Sequence, residues 1–258
     1  MEDFDIAEPI AWVRTGGAIA LRSFKRVVGQ RKADRTWVTE ADIGIERLLV
    51  ERITERFPDH GIIGEEQTRR TTDREFLWAI DPLDGTAVFL SGLPMWGVSL
   101  GLLRHGQPYA GVIYLPLLDD CYWAGPSGGA CLNGQPIQVA APHPFESDDW
   151  LATPSSIHRR FTIDFVGKTR SIGGTIGAFA YTARGSSIGG LIRRFSIWDV
   201  AAGMAILRAA GGVAITLSGA AFDTATILDG QTFEEPVLLG EPTHVAALRA
   251  AIQLRDRV

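Results

Sequence analysis

The 258-residue sequence predicts a mixed α/β protein with layered sheets, and three observations carry that expectation. Two amphipathic helical patterns open the chain, a β-rich run fills residues 76–140, and strands and helices alternate beyond about residue 150. Each of these parts leaves an apolar face that another layer has to cover. With 46% hydrophobic residues the chain can bury a sizeable core, and its length suits one large domain or two closely joined ones.

In order, residues 4–28 read as an amphipathic helix, with Ile6, Ile10, Val13, Leu21 and Phe24 near helical spacing. A polar segment, GQRKADRT, leads to Val38 and Thr39. In the next helix Ile45, Leu49, Ile53 and Phe57 recur every fourth residue, and Pro58 closes it. A short strand, Gly61-Ile62-Ile63, runs into Gly64-Glu65-Glu66, and residues 67–75 form a charged loop or hairpin. FLWAI, WGVSLGLL, YAGVIYL and CYWAG are β-rich runs separated by His105–Pro108 and by a turn at Pro116. Asn133-Gly134 marks a further turn, either a two-residue hairpin or a longer loop. PHPFESDD, residues 142–149, is the best boundary, giving an N-terminal half over 1–141 and a C-terminal half over 142–258. Beyond it come WLAT, helices near 175–184 and 199–210, GGVAITL, PVLLG and a C-terminal helix over 242–255.

Composition excludes several classes. The net charge is −5 and the 25 basic residues form no long run, so no nucleic-acid or membrane-surface partner is expected. The opening MEDFDIAEPI lacks a basic-then-apolar signal pattern, and no apolar run reaches the roughly 18 residues of a membrane span. Cys121 and Cys131 have no metal-type spacing and read as reduced thiols of a cytoplasmic protein. The five histidines (60, 105, 143, 158 and 244) fall in polar loops or near termini, where a solvated role is expected.

Chemistry concentrates in WAIDPLDGTAVF, residues 78–89. Asp81 and Asp84 stand three positions apart at the end of an apolar strand, where they repel unless a cation or protons neutralise them. Pro82 fixes the backbone, so the turn can aim the Leu83 carbonyl inward, giving three hard oxygens of the kind Mg²⁺ accepts. Gly85 and Thr86 come where a helix could begin, and exposed N–H groups at a helix start favour phosphate. The same residue types also make an ordinary surface turn. Two further acids bear on the choice. Glu65 ends a short strand that could lie beside 76–80, which would bring it to the aspartates. Asp199 opens an apolar helix, where an acid is also a dipole partner or cap.

Gly64-Glu65-Glu66, WAIDPLDGT at 78–86 and WDVAAG at 198–203, followed by AGG at 210–212, resemble the three signatures of the inositol monophosphatase family in order and spacing. The resemblance implies a layered αβαβα sandwich of the inositol monophosphatase / fructose-1,6-bisphosphatase type. It further implies a Mg²⁺-dependent, lithium-sensitive phosphomonoesterase, often homodimeric, using metal-activated water on a small phosphorylated metabolite. By position, Glu65, Asp81, the Leu83 carbonyl, Asp84 and Asp199 would hold two or three Mg²⁺ ions, and Thr86 would touch the attacking water. The amides of Gly85 and Thr86 would receive the phosphate. Thr39 and Asp42, in VTEAD, match the pair that positions and deprotonates the water, while locally they also read as a capping box. Catalytic roles so carried over fall on Thr39, Asp42, Glu65 and Thr86, with Glu66 behind them. Substrate contacts fall on Asp84, Gly85, Thr86, Thr175, Ile192, Arg193 and Asp199.

The substrate is less defined. Members acting on inositol phosphate carry a glutamate seven residues before the WD aspartate, and that position here is Ile192, followed by Arg193 and Arg194. The family's usual Asn after DGT-x is Val88. Pro94-x-Trp96 and VTEAD resemble the histidinol-phosphate branch, whereas Gly174-Thr175 is closer to the inositol branch. The arginines could receive a second anionic group, as in fructose bisphosphate or adenosine 3′,5′-bisphosphate, or form a solvated face or dimer salt bridge. A catalytically silent regulatory relative would be marked by loss of a metal carboxylate, and none is lost.

Overall fold

The computed structural model describes residues 4–33, 36–66 and 68–255. The first and last three residues, Asp34 and Arg35 of the polar segment, and Gln67 at the head of the expected charged loop lie outside it. Among the described residues the α-helices are α1 (Ala7–Ser23), α2 (Glu40–Arg56), the short α3 (Thr86–Leu90) and α4 (Ile157–Arg160), α5 (Thr175–Ala183), α6 (Ile197–Ala209) and α7 (Pro242–Ala251).

Five layers form an αβαβα sandwich: α1 and α2, an eight-stranded sheet, α5 and α6, a five-stranded sheet, and α7. Strand alternation produces the layering, since successive side chains point to opposite faces. In Phe76–Asp84, Trp78 and Ile80 pack towards α1 and α2 with Ile45, Leu49 and Ile53. Leu77 and Ala79 pack the other way, with Phe179 and the apolar residues of α6. That second core also takes Ile192, Val237 and Leu239 from the five-stranded sheet, whose opposite face buries Leu191 and Leu238 against Val245 and Leu248 of α7. Ile45, Leu49 and Ile53 are fully buried, each worth about 1.5–3 kcal/mol of transfer free energy.

The eight-stranded sheet runs Gln135–Ile137, Ala130–Leu132, Asp120–Ala124, Gln107–Leu115, Gly97–Arg104, Phe76–Asp84, Gly61–Gly64, Arg69–Arg70. Only the pairing of Gly61–Gly64 with Phe76–Asp84 is parallel, which sets Gly64 beside Ile80 and carries Glu65 to the level of Asp81. Gly101 and Gly111 face one another on adjacent strands. A Cβ at Gly101 would lie 2.5 Å from Ala201 Cβ, and one at Gly111 the same distance from the Ala202 carbonyl oxygen. Side-chain-free sheet thus lets α6 press its alanines onto the strands, which fixes the helix that Asp199 opens.

Several expectations need correction. The first helix stops at Ser23, because Phe24 is extended and Lys25 has a φ of +62°; Leu21 is 39% exposed rather than buried. The last helix ends at Ala251, and Ile252–Leu254 form a strand against Phe161–Ile163 that buries Ile252 beside Phe161. The expected turn at Asn133-Gly134 is present and is the two-residue form, with Leu132 opposite Gln135 and both loop residues at positive φ. Two histidines are not solvated. His60 stacks on Phe57 and Phe76 and accepts from Trp78 Nε1 at 3.0 Å. His244 is 1% exposed, and its Nε2 accepts from the His143 amide. The other three are exposed. Among the described residues, no helix is long and apolar enough to cross a membrane.

Candidate active site

Residues 81 and 84 are an odd number of steps apart and in a regular strand would face opposite ways. The strand avoids this with a bulge: Asp81 pairs with Ser99 and Asp84 with Gly97, so the DPLD strand holds one residue more than its partner. Both carboxylates then turn to the same end of the sheet. There α6 contributes Asp199, and oxygens of Asp81, Asp84 and Asp199 all lie within 4.8 Å of one another.

Each acid is oriented by backbone. Asp81 Oδ1 accepts from the Leu83 amide at 3.1 Å. Asp84 Oδ2 accepts from Thr175 N (2.9 Å) and Ile176 N (3.3 Å), the first turn of α5. Asp199 Oδ2 accepts from Ser196 N at 2.5 Å as part of a capping box, so the capping reading of that residue also holds. Asp84 approaches α5 this closely because residue 174 is glycine; a Cβ there would land on the Asp84 carboxylate, with Cγ only 2.5 Å away.

Electrostatically the trio is uncompensated. Burial, followed by the charges of Glu65, Asp84 and Asp199, pushes the Asp81 carboxyl well above its usual range. Asp199 is raised by burial and by Glu65 and Asp84. Burial lifts Asp84 to about 7 against the two helix amides that favour its ionised form. Asp84 Oδ1 is buried and has no hydrogen-bond partner among the described residues. Convergent, hard, partly unsatisfied oxygens fit a divalent cation such as Mg²⁺.

Glu65, expected among the metal ligands, lies at the same cleft but is turned to Lys32 Nζ at 3.1 Å. Lys32 also binds Glu66, which places Glu66 behind the cluster. Burial raises both glutamates, Glu66 to about 7. A hydroxyl relay flanks the trio. Thr39 Oγ1 donates to Asp42 Oδ2 at 2.5 Å, and Thr86 Oγ1 lies 3.2 Å from Asp42 Oδ1 and 3.0 Å from the Leu83 carbonyl oxygen. Thr39 and Asp42 form the capping box of α2 as well, so one pair serves both geometries. Asp42 is fully buried, which raises its pKa. Gly85 has a φ of +85°, turning the chain from bulge to α3. Glu65, Asp81, Asp84, Gly85, Thr86 and Asp199 line an open cleft of about 460 Å³ with Gly174, Thr175, Arg31 and Trp37, and Asp42 and Thr39 lie behind Thr86. Ile192 and Arg193 are not in that cleft; they line a smaller neighbouring cavity that shares Gly174 and Thr175 with it.

Sequence reasoning missed Lys32 and Glu46. Glu46, 4% exposed, accepts from Glu66 N (2.7 Å), Thr68 N (3.2 Å) and Thr68 Oγ1 (2.5 Å), clamping the turn that carries Glu65 to α2. Its mark was available: an acid in register with Asp42 and Leu49 on the buried face of a helix. Lys32 sits in an aperiodic polar segment without such a mark. A thiol nucleophile gains no support, since burial raises Cys121 to about 11.

A layered sandwich that gathers three convergent carboxylates beside a hydrogen-bonded threonine–aspartate pair has the architecture of a phosphate-ester hydrolase. The model of the inositol monophosphatase family matches residues 2–252, and the chain belongs to that family. It is 32% identical over 228 residues to a fructose-1,6-bisphosphatase/inositol-1-monophosphatase of Aquifex aeolicus, covering 83% of this chain and 86% of that one. A histidinol-phosphatase of Chlorobaculum parvum is 35% identical over 209 residues, 78% of each chain. Among solved structures, the extragenic suppressor protein suhB of Bartonella henselae superposes with a TM-score of 0.83 at 25% identity, covering 95% of this chain and 97% of that one. The protein is a phosphatase acting on small phosphorylated metabolites.

Proposed function

We propose that the protein is a Mg²⁺-dependent phosphomonoesterase that hydrolyses a small polyol or sugar phosphate, such as myo-inositol 1-phosphate, with water as the nucleophile. The observation that carries this reading is the Asp81–Asp84–Asp199 cluster, two of its acids buried and Asp199 partly so, within 4.8 Å, with Asp84 Oδ1 left without a partner among the described residues. Those three, with Glu65 and the Leu83 carbonyl, would hold two or three ions. When bound, Mg²⁺ supplies Lewis-acid polarisation and charge compensation for the phosphoryl oxygens.

The chain's own residues do the rest. Amides of Gly85 and Thr86 receive phosphate oxygens at the cleft. Thr86 Oγ1 accepts from the attacking water and hands its proton on to Asp42 Oδ1, 3.2 Å away. Asp42 suits that task because burial raises its affinity for a proton, while Thr39 N and Oγ1 hold its other oxygen still. Asp84, tied to α5, keeps Thr175 at the substrate's edge. Ile192 offers no acceptor for a ring hydroxyl, which favours modest discrimination among esters. The relatives bring forward histidinol phosphate and fructose bisphosphate as alternative substrates. The family resemblance also supports a homodimer and inhibition by lithium, and the free thiols of Cys121 and Cys131 favour a cytoplasmic setting.

The test is phosphate release from inositol 1-phosphate, histidinol phosphate, fructose 1,6-bisphosphate and adenosine 3′,5′-bisphosphate, with Mg²⁺ and with EDTA. Turnover of at least one ester only when Mg²⁺ is present is expected. Turnover undiminished in EDTA would overturn the reading.

A further inference from the structure

Glu65 follows the strand Gly61–Gly64 of the eight-stranded sheet, whereas Asp199 belongs to α6 in the adjacent helical layer. Both acids face one cleft. They carry like charge, so before a cation arrives their repulsion works to push turn and helix apart. Glu46 ties the turn to α2, but α2 lies on the other side of the sheet from α6.

Arg69 supplies the missing tie. It pairs with Ile63 across the strand Arg69–Arg70, so its backbone returns beside the residues that lead into Glu65. Its Nη1 donates to the Gly64 carbonyl oxygen at 2.7 Å and to that of Thr68 at 3.2 Å, the two ends of the turn. Its guanidinium carbon lies 5.0 Å from the centre of the Trp198 ring, and Trp198 immediately precedes Asp199 in the first turn of α6. A planar cation over an indole face is attractive at that distance. Gly230 packs against both partners. It has a φ of +82°, and a Cβ there would lie 2.8 Å from Trp198 Cζ3 and 2.9 Å from Arg69 Nη2. Bare backbone thus leaves the pair little room to separate. Among the described residues, the partners of Arg69 are two carbonyls and a ring rather than a carboxylate. A lysine there could reach a carbonyl but has no plane to lay on the indole while doing so.

We infer that Arg69 is a positioning residue: by fastening the Glu65 turn to Trp198, it sets the spacing of Glu65 and Asp199 that a cation in the cleft requires. The inference rests on the proposed hydrolytic site. Arg69 is not among the residues that line the cleft, so its effect runs through the two acids.

The test uses the full chain. It measures the Kd for Mg²⁺ by calorimetry, and melting and amide hydrogen exchange in EDTA. Arg69→Met should raise the Kd about 10- to 100-fold. Melting in EDTA should shift by no more than about 3 °C, because the side chain removed is an exposed one. Exchange should quicken at the start of α6 as well as in the Glu65 turn. Arg69→Lys should recover only part of the affinity, and Trp198→Phe, which keeps a ring face, should stay within about threefold of wild type. Trp198→Leu should weaken Mg²⁺ binding as Arg69→Met does, and the double variant no further, because the same contact is lost in all three. An unchanged Kd in Arg69→Met, additive losses in the double variant, or faster exchange confined to the turn overturns the inference. A Kd raised only in step with a large fall in melting marks general loss of the fold and overturns it too. If wild type binds no Mg²⁺, the metal reading fails by itself and exchange decides the tie: quickening at both ends upholds it, and quickening in the turn alone rejects it.

Discussion

Replacing Gly174 by alanine adds one methyl group and removes nothing, which makes it a clean probe of the carboxylate cluster. Gly174 has φ −73° and ψ −179°, extended backbone open to alanine, so the consequence is steric alone. The new Cβ falls on the Asp84 carboxylate, which has to retreat by well over an ångström. That retreat breaks two bonds from α5, Thr175 N at 2.9 Å and Ile176 N at 3.3 Å. Each is a bond to a charged acceptor, worth about 1.5–3 kcal/mol, partly returned as water reaches the displaced group. Misplacing a reacting group by an ångström costs about 100-fold, so kcat/KM should fall by that factor or more. The assays are phosphate release at saturating Mg²⁺, calorimetric affinity for Mg²⁺, and thermal unfolding in EDTA. Gly177→Ala is the control, because its Cβ meets nothing closer than 3.4 Å in the same helix and should raise stability by about 0.5–1 kcal/mol. Wild-type metal affinity and turnover in Gly174→Ala would refute the placement of Asp84 and the site built on it.

Asp84→Asn should lower activity by orders of magnitude while melting in EDTA at or above the wild-type temperature, since it removes repulsion along with a ligand; near-normal turnover at matched Mg²⁺ would reject the ligand role. Burial and mutual repulsion raise the carboxyls of Asp81, Asp84 and Asp199, Asp84 to about 7, so the metal-free fold holds more protons than the unfolded chain above about pH 4. Stability in EDTA should therefore fall as pH rises from about 4 through 7, and Mg²⁺ should raise the melting temperature more at pH 8 than at pH 5; a flat metal-free profile would contradict this. Glu46→Gln weakens the clamp on Glu66 N and Thr68 and should raise the Kd for Mg²⁺ about tenfold with less effect on melting; an unchanged Kd would show that the Glu65 turn holds itself.

The carboxylate cluster was legible wherever residue type and spacing were enough. Asp81, Asp84, Glu65 and Asp199 declare themselves as acids at the ends of apolar elements, and the two apolar runs suggested that 61–64 and 76–80 are neighbours, without their parallel sense. The bulge was not legible, because nothing in DPLD alone says how many residues its partner strand spends opposite it. Lys32, Ile252 and His244 escaped for a shared reason: their positions are set by partners distant in sequence, Glu65, Ile163 and His143. Arg193 lines a cavity while Arg194 pairs with Glu234, a split that turns on a single left-handed residue, which a two-letter run cannot express.

The contact between α6 and bare sheet at Gly101 and Gly111 bears on how this chain can change over time. At both crossings the strand glycine meets the backbone of α6 itself: a Cβ at Gly101 would lie 2.6 Å from Ala202 N, and one at Gly111 2.6 Å from Ala202 Cα. Gly101→Ala should displace α6 and spoil the cleft with every cleft residue intact, and Ala201→Gly should not suppress the defect, because the added methyl also meets Ala202 N and the Ala201 carbonyl carbon. Positions 101 and 111 are therefore held as glycine by the helix backbone, whatever side chains α6 carries there. A larger residue at either position has to wait for a shift of the whole helix, and with it of Asp199.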